Sequence, residues 1–543
     1  MRDRAALLAA LLLAAALALA AILTPRPLPA DAPAEAFSAG RAFFDIAVIA
    51  REPHPLGSAA NRRVRAHLIA RMSALGLAPQ VRGETVQTLV GVLPGRDRTA
   101  PALALMAHYD SAPGSPGAGD DATGVAAALE TVRAIKARGV PARDLMLVFT
   151  DGEEPGLLGA TAFFKGDPLA RRIGLVVNLE ARGGGGRAVM FETGADNGGL
   201  IRVLAASSHR PLANSASVFV YRLMPNETDF TPARAAGKTG FNFAFLGRAF
   251  DYHAPTATLA NLDKGSVQSM GEELLGLTGA LAFAPALPAR SPDLVFSQLF
   301  GPWILAYPPA AGWGLLAAAG ALLFVAAVRV RPAPGGVALG ALAGLAVLIG
   351  AAVLLWLARQ ATGAGFGFLG QRPLLARFEV WETAMALAAA APVLLAARLT
   401  RSRPEASWLG LLLTGLGAGI ALQLAAPLTA YLIAWPVLAA SVAAAATGLG
   451  RHGRLLLAVL GGAALGWIAV YFHFIALALD LPPALAVFAW LAALAVWPLL
   501  RPVPPKTWLL ALLVMAALVG FLRFTDPWSP RHPRWTTPAA SAP

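Results

Sequence analysis

The sequence predicts two kinds of structure in one chain: an α/β domain with a mixed central sheet and helices on both faces, and an α-helical multi-span membrane domain. Of the 543 residues, 57% are hydrophobic and only 14% are charged, whereas soluble domains are typically about 25% charged. Residues 26–300 nevertheless hold 27 Lys and Arg residues and 25 Asp and Glu residues. After about residue 305, apolar runs recur at close to the roughly 20 residues that cross a bilayer.

The first hydrophobic run covers residues 5–23 and follows Met-Arg-Asp-Arg. It is longer than the apolar core of a secretory signal peptide, which is about 7–15 residues. The run therefore favours an uncleaved transmembrane anchor over residues 1–24, with a cleaved signal peptide as the alternative. With either interpretation, the segment that follows is exported.

Eight further spans are predicted in the second half of the chain, so that residues 311–522 form an eight-helix transmembrane domain. The spans lie near residues 311–328, 336–357, 380–397, 407–424, 428–448, 455–475, 483–500 and 507–522. Residues 291–310 are expected to be a linker into the membrane. Residues 523–543 are expected to be a Pro-rich C-terminal tail.

Arginine and lysine residues predict the orientation, because basic loops favour the cytoplasmic side of a membrane. With a cytoplasmic N-terminus, the inner loops carry basic residues, namely Arg329 and Arg331, then Arg398, Arg401 and Arg403, then Arg451 and Arg454, then Arg501 and Lys506. The short outer loops near Pro427 and Asp480 carry none, although three arginines lie in the outer loop at 359–379 and three more in the tail. The pattern places residues 25–290 and the C-terminus outside the cytoplasm.

Residues 25–290 alternate between strand-like and helix-like segments, which is typical of an α/β domain. Short buried strands are predicted over 103–107, 145–150, 173–178 and 240–246. Each of these strands ends in residues that can bind a metal or move a proton. They are, in chain order, His108 and Asp110, Glu153 and Glu154, Glu180, and His253. Open α/β sheets build their sites at the carboxyl ends of their strands, so we expect these side chains to meet.

Imidazoles and carboxylates in a chain without cysteine suit a borderline divalent metal such as zinc. A pair of metals needs one carboxylate that bridges both, together with an imidazole and a carboxylate on each side. Asp120 is the candidate bridge. His108 and Glu180 can complete one metal site. Glu154 and His253 can complete the other.

Neighbouring residues can take the other roles that the site needs, those of general base and of a group that orients a ligand. Adjacent residues of an extended chain point in opposite directions, so Glu153 can act as general base while Glu154 binds metal. Asp110 lies two residues after His108 and can orient its imidazole. Taken singly, these residues also have structural explanations, since Glu-Glu pairs are usually solvated and Asp-Asp before a helix can be an N-cap.

Five segments carry the most specific pattern. They are His108-Tyr109-Asp110-Ser111, Gly119-Asp120-Asp121-Ala122-Thr123-Gly124, Asp151-Gly152-Glu153-Glu154, Asn178-Leu179-Glu180 and Tyr252-His253. In this order they resemble the aminopeptidase Y family of co-catalytic zinc metallopeptidases of clan MH, over about residues 36–285. An exported domain followed by many spans is similar to the vacuolar membrane protease and endoplasmic reticulum metallopeptidase branch.

The resemblance implies a peptidase that binds two zinc ions per chain and acts mainly as an aminopeptidase on a peptide substrate. It makes Asp120 the bridging ligand, with the four other ligands divided as above, and Glu153 the proton shuttle. It implies that Asp121 supports the site without binding metal and that Asp110 holds His108. The candidate substrate-pocket residues are Asn226, Thr228, Asp229 and Tyr252, with a structural turn as the alternative for the first three.

One position departs from the family pattern. The family commonly follows its last His with Thr-x-x-Asp-Thr, whereas this chain has Ala254-Pro255-Thr256-Ala257-Thr258. Ala257 stands at the Asp position. This predicts weaker positioning of His253 and a lower zinc affinity or rate.

Two alternative functions remain at this point. A single-zinc glutaminyl cyclase shares the sheet and the His-Tyr-Asp-Ser segment, but tandem Asp120-Asp121 favours the two-metal hydrolase. An inactive peptidase-like scaffold is the other alternative, although all five ligand positions are filled. The charge-rich segment has no basic stripe with interleaved aromatics, which argues against a nucleic-acid partner. The expected partners are a peptide substrate and the lipid bilayer.

Overall fold

The computed structural model describes residues 3–446 and 450–535. The chain divides into two compact units. The α/β unit comprises Leu23–Ala306 and the segment that begins at Pro530. The helical unit comprises the N-terminal helix and Tyr307–Ser529.

A seven-stranded mixed sheet forms the centre of the α/β unit. Its strands are β1 (Gln80–Arg82), β2 (Thr88–Leu93), β3 (Ala102–His108), β4 (Leu145–Thr150), β5 (Ile173–Ala181), β6 (Val189–Thr193) and β7 (Thr239–Phe245). Their order is β1-β2-β4-β3-β5-β7-β6. The four neighbours β4, β3, β5 and β7 are parallel, so their carboxyl ends lie along one edge of the sheet. The remaining strands pair antiparallel at the margins.

The central strands are continuous apolar runs because helices cover both faces of the sheet. On β3, Leu103 and Leu105 pack into one core cluster, whereas Ala104 and Met106 pack into another. Successive residues of a strand point to opposite faces, so the two clusters lie on the two sides of the sheet. The predicted α/β class, with a mixed sheet between helices, is confirmed.

The helices of the α/β unit divide between these two clusters. Those that contribute to the Leu103 cluster are Ala39–Ile49, Ala59–Ala74, Ala122–Arg138, Gly198–Ser207, Ser215–Tyr221 and Lys264–Ala282. Those that contribute to the Ala104 cluster are Leu158–Gly166, Pro168–Arg172 and Phe230–Ala235. A short 3-10 helix, Ala249–Asp251, follows β7.

The segment 291–310, expected to be a linker, contains a second, two-stranded sheet. Its strands are β8 (Val295–Gln298) and β9 (Ile304–Tyr307). Phe296 of β8 is completely buried in the Leu103 cluster, and its N–H donates to the Ser215 hydroxyl at 3.2 Å. This part of the segment is therefore packed into the α/β unit.

The helical unit consists of long apolar helices. They are Asp3–Ile22, Ala311–Val330, Pro334–Ala361, Phe378–Leu399, Pro404–Ala425, Tyr431–Ala445, Gly450–Ala478, Ala486–Val496 and Thr507–Phe524, with short helices Gly367–Gly370 and Arg372–Leu375. The 3-10 turns Pro482–Leu485 and Trp497–Leu500 extend Ala486–Val496 at its two ends. Within the described residues, eight helices are long and apolar enough to cross a membrane, which indicates a multi-pass membrane protein.

The nine predicted spans correspond to these eight helices and one shorter helix. The span predicted over 428–448 is the 15-residue helix Tyr431–Ala445, and the end of that prediction falls on residues outside the description. The helix begins after a turn that contains Pro427, in which Thr429 N–H donates to the carbonyl of Ala426 at 2.9 Å. The chain before Tyr431 is therefore used for the turn and does not lengthen the helix.

Small residues allow close helix packing in the helical unit, as is common in membranes. A Cβ atom added at Gly462 would lie 2.7 Å from the carbonyl oxygen of Ala10 on the N-terminal helix. A Cβ atom added at Gly340 would lie 1.9 Å from the carbonyl oxygen of Ser407. At both contacts, only glycine lets the two backbones approach as they do.

Candidate metal centre

His108 is the last residue of β3, and its side chain is 1% exposed. Its Nδ1–H donates to the backbone carbonyl of Asp110 at 3.0 Å. Its Nε2 therefore faces the carboxylates: Asp120 Oδ1 lies at 3.3 Å and Glu180 Oε2 at 3.8 Å.

Asp120 lies in the loop between β3 and the helix Ala122–Arg138, and the peptide bond between Asp120 and Asp121 is cis. While Oδ1 of Asp120 faces His108, its Oδ2 lies 3.1 Å from Nε2 of His253. One carboxylate thus faces both imidazoles. The Asp121 carboxylate instead caps the helix by accepting the N–H of Gly124 at 2.9 Å.

Glu153 and Glu154 follow β4 after a turn in which Gly152 has a φ of 67°. The backbone N–H groups of Glu153 and Glu154 both donate to the Asp110 carboxylate, at 3.0 and 3.3 Å. Oε2 of Glu154 lies 3.1 Å from Nε2 of His253. Its other oxygen, Oε1, is buried and has no hydrogen-bond partner in the described part of the chain.

The structure therefore gives Asp110 a different contact from the one expected. Its carbonyl, and not its carboxylate, accepts the His108 Nδ1–H, since the carboxylate oxygen is 3.6 Å from Nδ1. The carboxylate holds the backbone of Glu153 and Glu154 instead. Asp110 thus connects the end of β3 to the segment after β4.

Glu180 points from β5 into a buried network that the sequence analysis did not identify. Asn178 Nδ2 donates to Glu180 Oε1 and to Asn242 Oδ1, both at 3.0 Å. Asn242 Nδ2 donates to Glu192 Oε2 at 3.0 Å and to Thr228 Oγ1 at 2.8 Å. Residues 178 and 180 share one face of β5, and residue 242 pairs with residue 178 in the sheet. The alternating polar residues of β5 were the available signal, but the sequence does not give the pairing with β7.

His253 lies beyond the 3-10 turn that follows β7 and has a left-handed φ of 51°. The Tyr252 ring stacks on its imidazole with a centroid distance of 3.7 Å. Ala257 is buried, and its carbonyl accepts the N–H of Ala118 at 3.0 Å. In the part of the chain that the structure describes, no hydrogen-bond partner lies at Nδ1 of His253. Stacking is thus the contact that orients this ring besides its Nε2 partners.

The structure brings all five predicted ligands together. The ligand-type atoms of His108, Asp120 and Glu180 lie within 4.8 Å of one another, and so do those of Asp120, Glu154 and His253. Asp120 belongs to both groups. Glu153 joins a third group with His108 and Glu154 under the same distance limit.

The electrostatics of this cluster match a cation-binding site. Burial raises the pKa of Glu180 to about 8 and raises the pKa of Glu153 well above its usual range. Burial would also raise the pKa of Asp120, but hydrogen bonds from His108 and His253 hold it at about 2. Carboxylates that are costly to ionise in a buried cluster are stabilised by nearby positive charge.

The donor set fits divalent cations. Four carboxylates meet two imidazoles, and one buried carboxylate oxygen of Glu154 has no partner among the described residues. Unpaired buried charge is costly, so a bound cation would compensate it. Nitrogen and oxygen donors without thiolates suit zinc.

The four candidate substrate-pocket residues have different surroundings. Asn226 is exposed. Thr228 is buried and accepts the Asn242 amide, and the Asp229 carboxylate accepts the Thr150 hydroxyl. The second oxygen of Asp229 is buried and has no partner over residues 3–446 and 450–535, and burial raises the pKa of Asp229 to about 6. Thr228 thus belongs to the buried network around Glu180, the Asp229 side chain contacts Thr150 at the end of β4, and Tyr252 contacts His253.

The comparisons with known proteins agree with the motifs. Residues 88–278 match the model of Peptidase family M28. Endoplasmic reticulum metallopeptidase 1 from Mus musculus is 30% identical over 237 residues, which cover 42% of this chain and 26% of that protein. Vacuolar membrane protease from Candida albicans is 34% identical over 245 residues, which cover 42% of this chain and 28% of that protein. The resemblance that the motifs predict is confirmed.

The extent of these matches is partial. The chain spans about a quarter of the length of these curated relatives. Among solved structures, an aminopeptidase from Aneurinibacillus sp. strain AM-1 is 12% identical with a TM-score of 0.38, covering 48% of this chain and 97% of that one. A glutaminyl cyclase from Porphyromonas gingivalis is 18% identical with a TM-score of 0.38, covering 44% of this chain and 97% of that one.

Replacing Asp110 by alanine will weaken zinc binding. The substitution leaves the N–H groups of Glu153 and Glu154 without their acceptor. An unsatisfied buried donor lowers the free energy of unfolding by about 1–3 kcal/mol. Loss of a side chain that supports metal ligands typically lowers affinity by roughly 10–100-fold. Asp110→Asn keeps one acceptor oxygen and should lose less zinc affinity than Asp110→Ala. Competition with a chromogenic chelator measures both affinities, and equal affinity in Asp110→Ala and the unsubstituted chain would contradict this role.

Once a chelator has removed the metals, the free energy of unfolding of the α/β unit will fall as pH rises. The folded pKa of Glu180, about 8, lies above the unfolded value of 4.5. Its contribution is therefore fully present below pH 4.5 and is lost as pH rises through about 8. Scanning calorimetry of the chelator-treated chain should show a falling thermal midpoint over this range, with a shallower fall in Glu180→Gln. Glu84→Gln, at an exposed position of the same unit, is the control. A midpoint that rises with pH would contradict the prediction.

Proposed function

We propose that this chain, whose residues 88–278 match Peptidase family M28, is a membrane-anchored di-zinc metallopeptidase. It hydrolyses peptide bonds as an aminopeptidase on the non-cytoplasmic side of the membrane. One observation carries the proposal: the two carboxylate oxygens of Asp120 face His108 and His253 separately, at 3.3 and 3.1 Å. A carboxylate between two imidazoles is what a shared ligand of a two-metal site requires.

In this proposal, Asp120 binds both zinc ions. His108 and Glu180 complete one site, and Glu154 and His253 complete the other. When bound, the zinc ions supply Lewis-acid chemistry that polarises the scissile carbonyl and acidifies the attacking water.

Glu153 is the proposed proton shuttle. Its carboxyl group lies with His108 and Glu154 in one cluster, and burial raises its pKa well above the usual range. A carboxylate with a raised pKa takes a proton more readily and can then return it. Glu153 accepts the proton of the attacking water and delivers it to the leaving amine. The contact of its backbone N–H with Asp110 keeps the side chain in place.

The substrate side of the proposal rests on the family resemblance. An aminopeptidase acts on the peptide bond next to a free N-terminal ammonium group, and this choice of substrate comes from the resemblance of the five motif segments to the aminopeptidase Y family.

The proposed topology follows the basic loops. Residues 1–24 anchor the chain with a cytoplasmic N-terminus, and residues 25–290 form the exported peptidase domain. Residues 311–522 form the transmembrane domain, and residues 523–543 form a tail on the outer side. Termini on opposite sides require an odd number of crossings. Among the described residues, the N-terminal helix Asp3–Ile22 and seven later helices have the length and hydropathy to cross, and the proposed arrangement requires the shorter helix Tyr431–Ala445 to cross as well.

The purified chain will contain two zinc ions, and Asp120→Asn will lose both. A neutral amide cannot replace a carboxylate that binds two cations. Elemental analysis of the detergent-purified protein measures the content, with Glu84→Gln as the matched control at an exposed position of the same unit. One zinc ion per chain together with cyclisation of N-terminal glutamine would instead show a glutaminyl cyclase.

Glu153→Gln will retain zinc but lose peptide hydrolysis by roughly 100–10,000-fold in kcat, the usual contribution of a general base. Glu154→Gln, one residue away, should lose zinc as well as activity. Steady-state hydrolysis of a peptide with a free N-terminus measures kcat, and the N-acetylated form of the same peptide should not be cleaved. Equal turnover by Glu153→Gln and the unsubstituted chain would remove Glu153 from the mechanism. Cleavage of the acetylated peptide would remove the aminopeptidase assignment.

A further inference from the structure

A pocket lies in the helical unit where the helix Phe378–Leu399 ends. Its walls come from this helix end, from Arg401 in the next turn and from the segment around residues 500–508. Three arginines line it, Arg398, Arg401 and Arg501. Each of these side chains is exposed. The pocket thus gathers three positive charges from two separate parts of the chain.

These three arginines have no counter-charge within the described part of the chain. Over residues 3–446 and 450–535, none of them forms an ion pair or a side-chain hydrogen bond. Some arginines of the helical unit are paired: Arg359 forms two 2.8 Å contacts with the Asp480 carboxylate, and Arg377 donates to the Leu522 carbonyl at 2.8 Å. The three charges of the pocket are therefore available for an anion from outside the chain.

The rest of the pocket is apolar. Leu394, Val503 and Trp508 line it, and all three are partly buried. Trp508 lies at the start of the helix Thr507–Phe524, which is long and apolar enough to cross a membrane. Tryptophan at such a helix end is typical of the membrane–water interface. A pocket lined by both arginines and apolar side chains suits a molecule with a charged head group and an apolar body.

The general preference for basic residues in cytoplasmic loops does not account for the pocket. That preference requires positive charge in the loop sequence, not convergence on one cavity. Arg331, Arg451 and Arg454 lie on the same predicted side and are also exposed, but they do not line the pocket. They satisfy the loop rule without forming a site.

We propose that this pocket binds the phosphate head group of an anionic phospholipid. The phosphate oxygens would accept hydrogen bonds from Arg398, Arg401 and Arg501, because the guanidinium fork matches phosphate geometry. The glycerol and the first acyl carbons would lie along Leu394 and Trp508. Basic pockets between transmembrane helices are suited to such head groups. The proposal stands independently of the peptidase activity.

The test compares two triple variants of the full chain in detergent. The pocket variant carries Arg398→Gln, Arg401→Gln and Arg501→Gln, and the control carries Arg331→Gln, Arg451→Gln and Arg454→Gln. Both remove three exposed charges from the same predicted side. Native mass spectrometry measures the binding of added phosphatidylglycerol, with phosphatidylcholine as the zwitterionic comparison and inorganic phosphate as the soluble competitor.

A basic residue near an anionic lipid contributes about 1 kcal/mol, which is roughly fivefold, so loss of three predicts roughly 100-fold weaker phosphatidylglycerol binding. The control variant should stay within about twofold of the unsubstituted chain. Equal weakening in both variants would show a net-charge effect and overturn the site. Phosphatidylcholine binding as tight as phosphatidylglycerol binding would also overturn it. Displacement by inorganic phosphate at concentrations similar to those of the lipid would show a free-phosphate site instead of a lipid site.

Discussion

The arrangement of the α/β unit depends on one constraint: two imidazoles and four carboxylates are brought together at one edge of a largely buried sheet. Four parallel strands end at that edge. Two side chains of the cluster, His108 and Glu180, lie on β3 and β5, and the other four come from the chain segments that follow β3, β4 and β7. Asp120 stands between the two histidines because its two oxygens face different imidazoles. Such a concentration of buried carboxylates needs compensating positive charge. The fold thus creates an environment that divalent cations would stabilise, and this links the sheet topology to the proposed chemistry.

The surrounding residues fix the ligand side chains by ordinary hydrogen bonds. Asp110 joins the end of β3 to the segment after β4 through its carbonyl and its carboxylate. On the other side, Asn178 connects Glu180 to Asn242 of β7. Close backbone packing contributes as well, since a Cβ atom at Gly119 would lie 2.1 Å from the carbonyl oxygen of Gly183. His253 is the exception: it is held by stacking on Tyr252 and has Ala257 where the family pattern has an acid. Among the proposed ligands, His253 therefore has the fewest contacts that fix its orientation.

The sequence is sufficient to predict the strand ends and the cluster because apolar runs that end in ligand-type residues are a local pattern. The two-core α/β architecture follows from the same runs.

Contacts between distant segments cannot be predicted from such local patterns. Pairing of Asn178 with Asn242 depends on the β5–β7 register, and nothing near either residue encodes it. The role of the Asp110 carboxylate depends on where the backbone of residues 153 and 154 passes. Likewise, β8 looks like a connection in sequence, and its burial depends on Ser215 and on the core around Phe296. Hydropathy predicts the apolar helices well but not the turn that shortens Tyr431–Ala445.

Anomalous X-ray scattering at the zinc absorption edge, measured on crystals of the intact protein, is the most direct test of the shared-carboxylate account. The account predicts two anomalous peaks, one beside His108 and Glu180 and one beside Glu154 and His253, with the Asp120 carboxylate between them. A single peak, or two peaks that both lie on one side of Asp120, would contradict it.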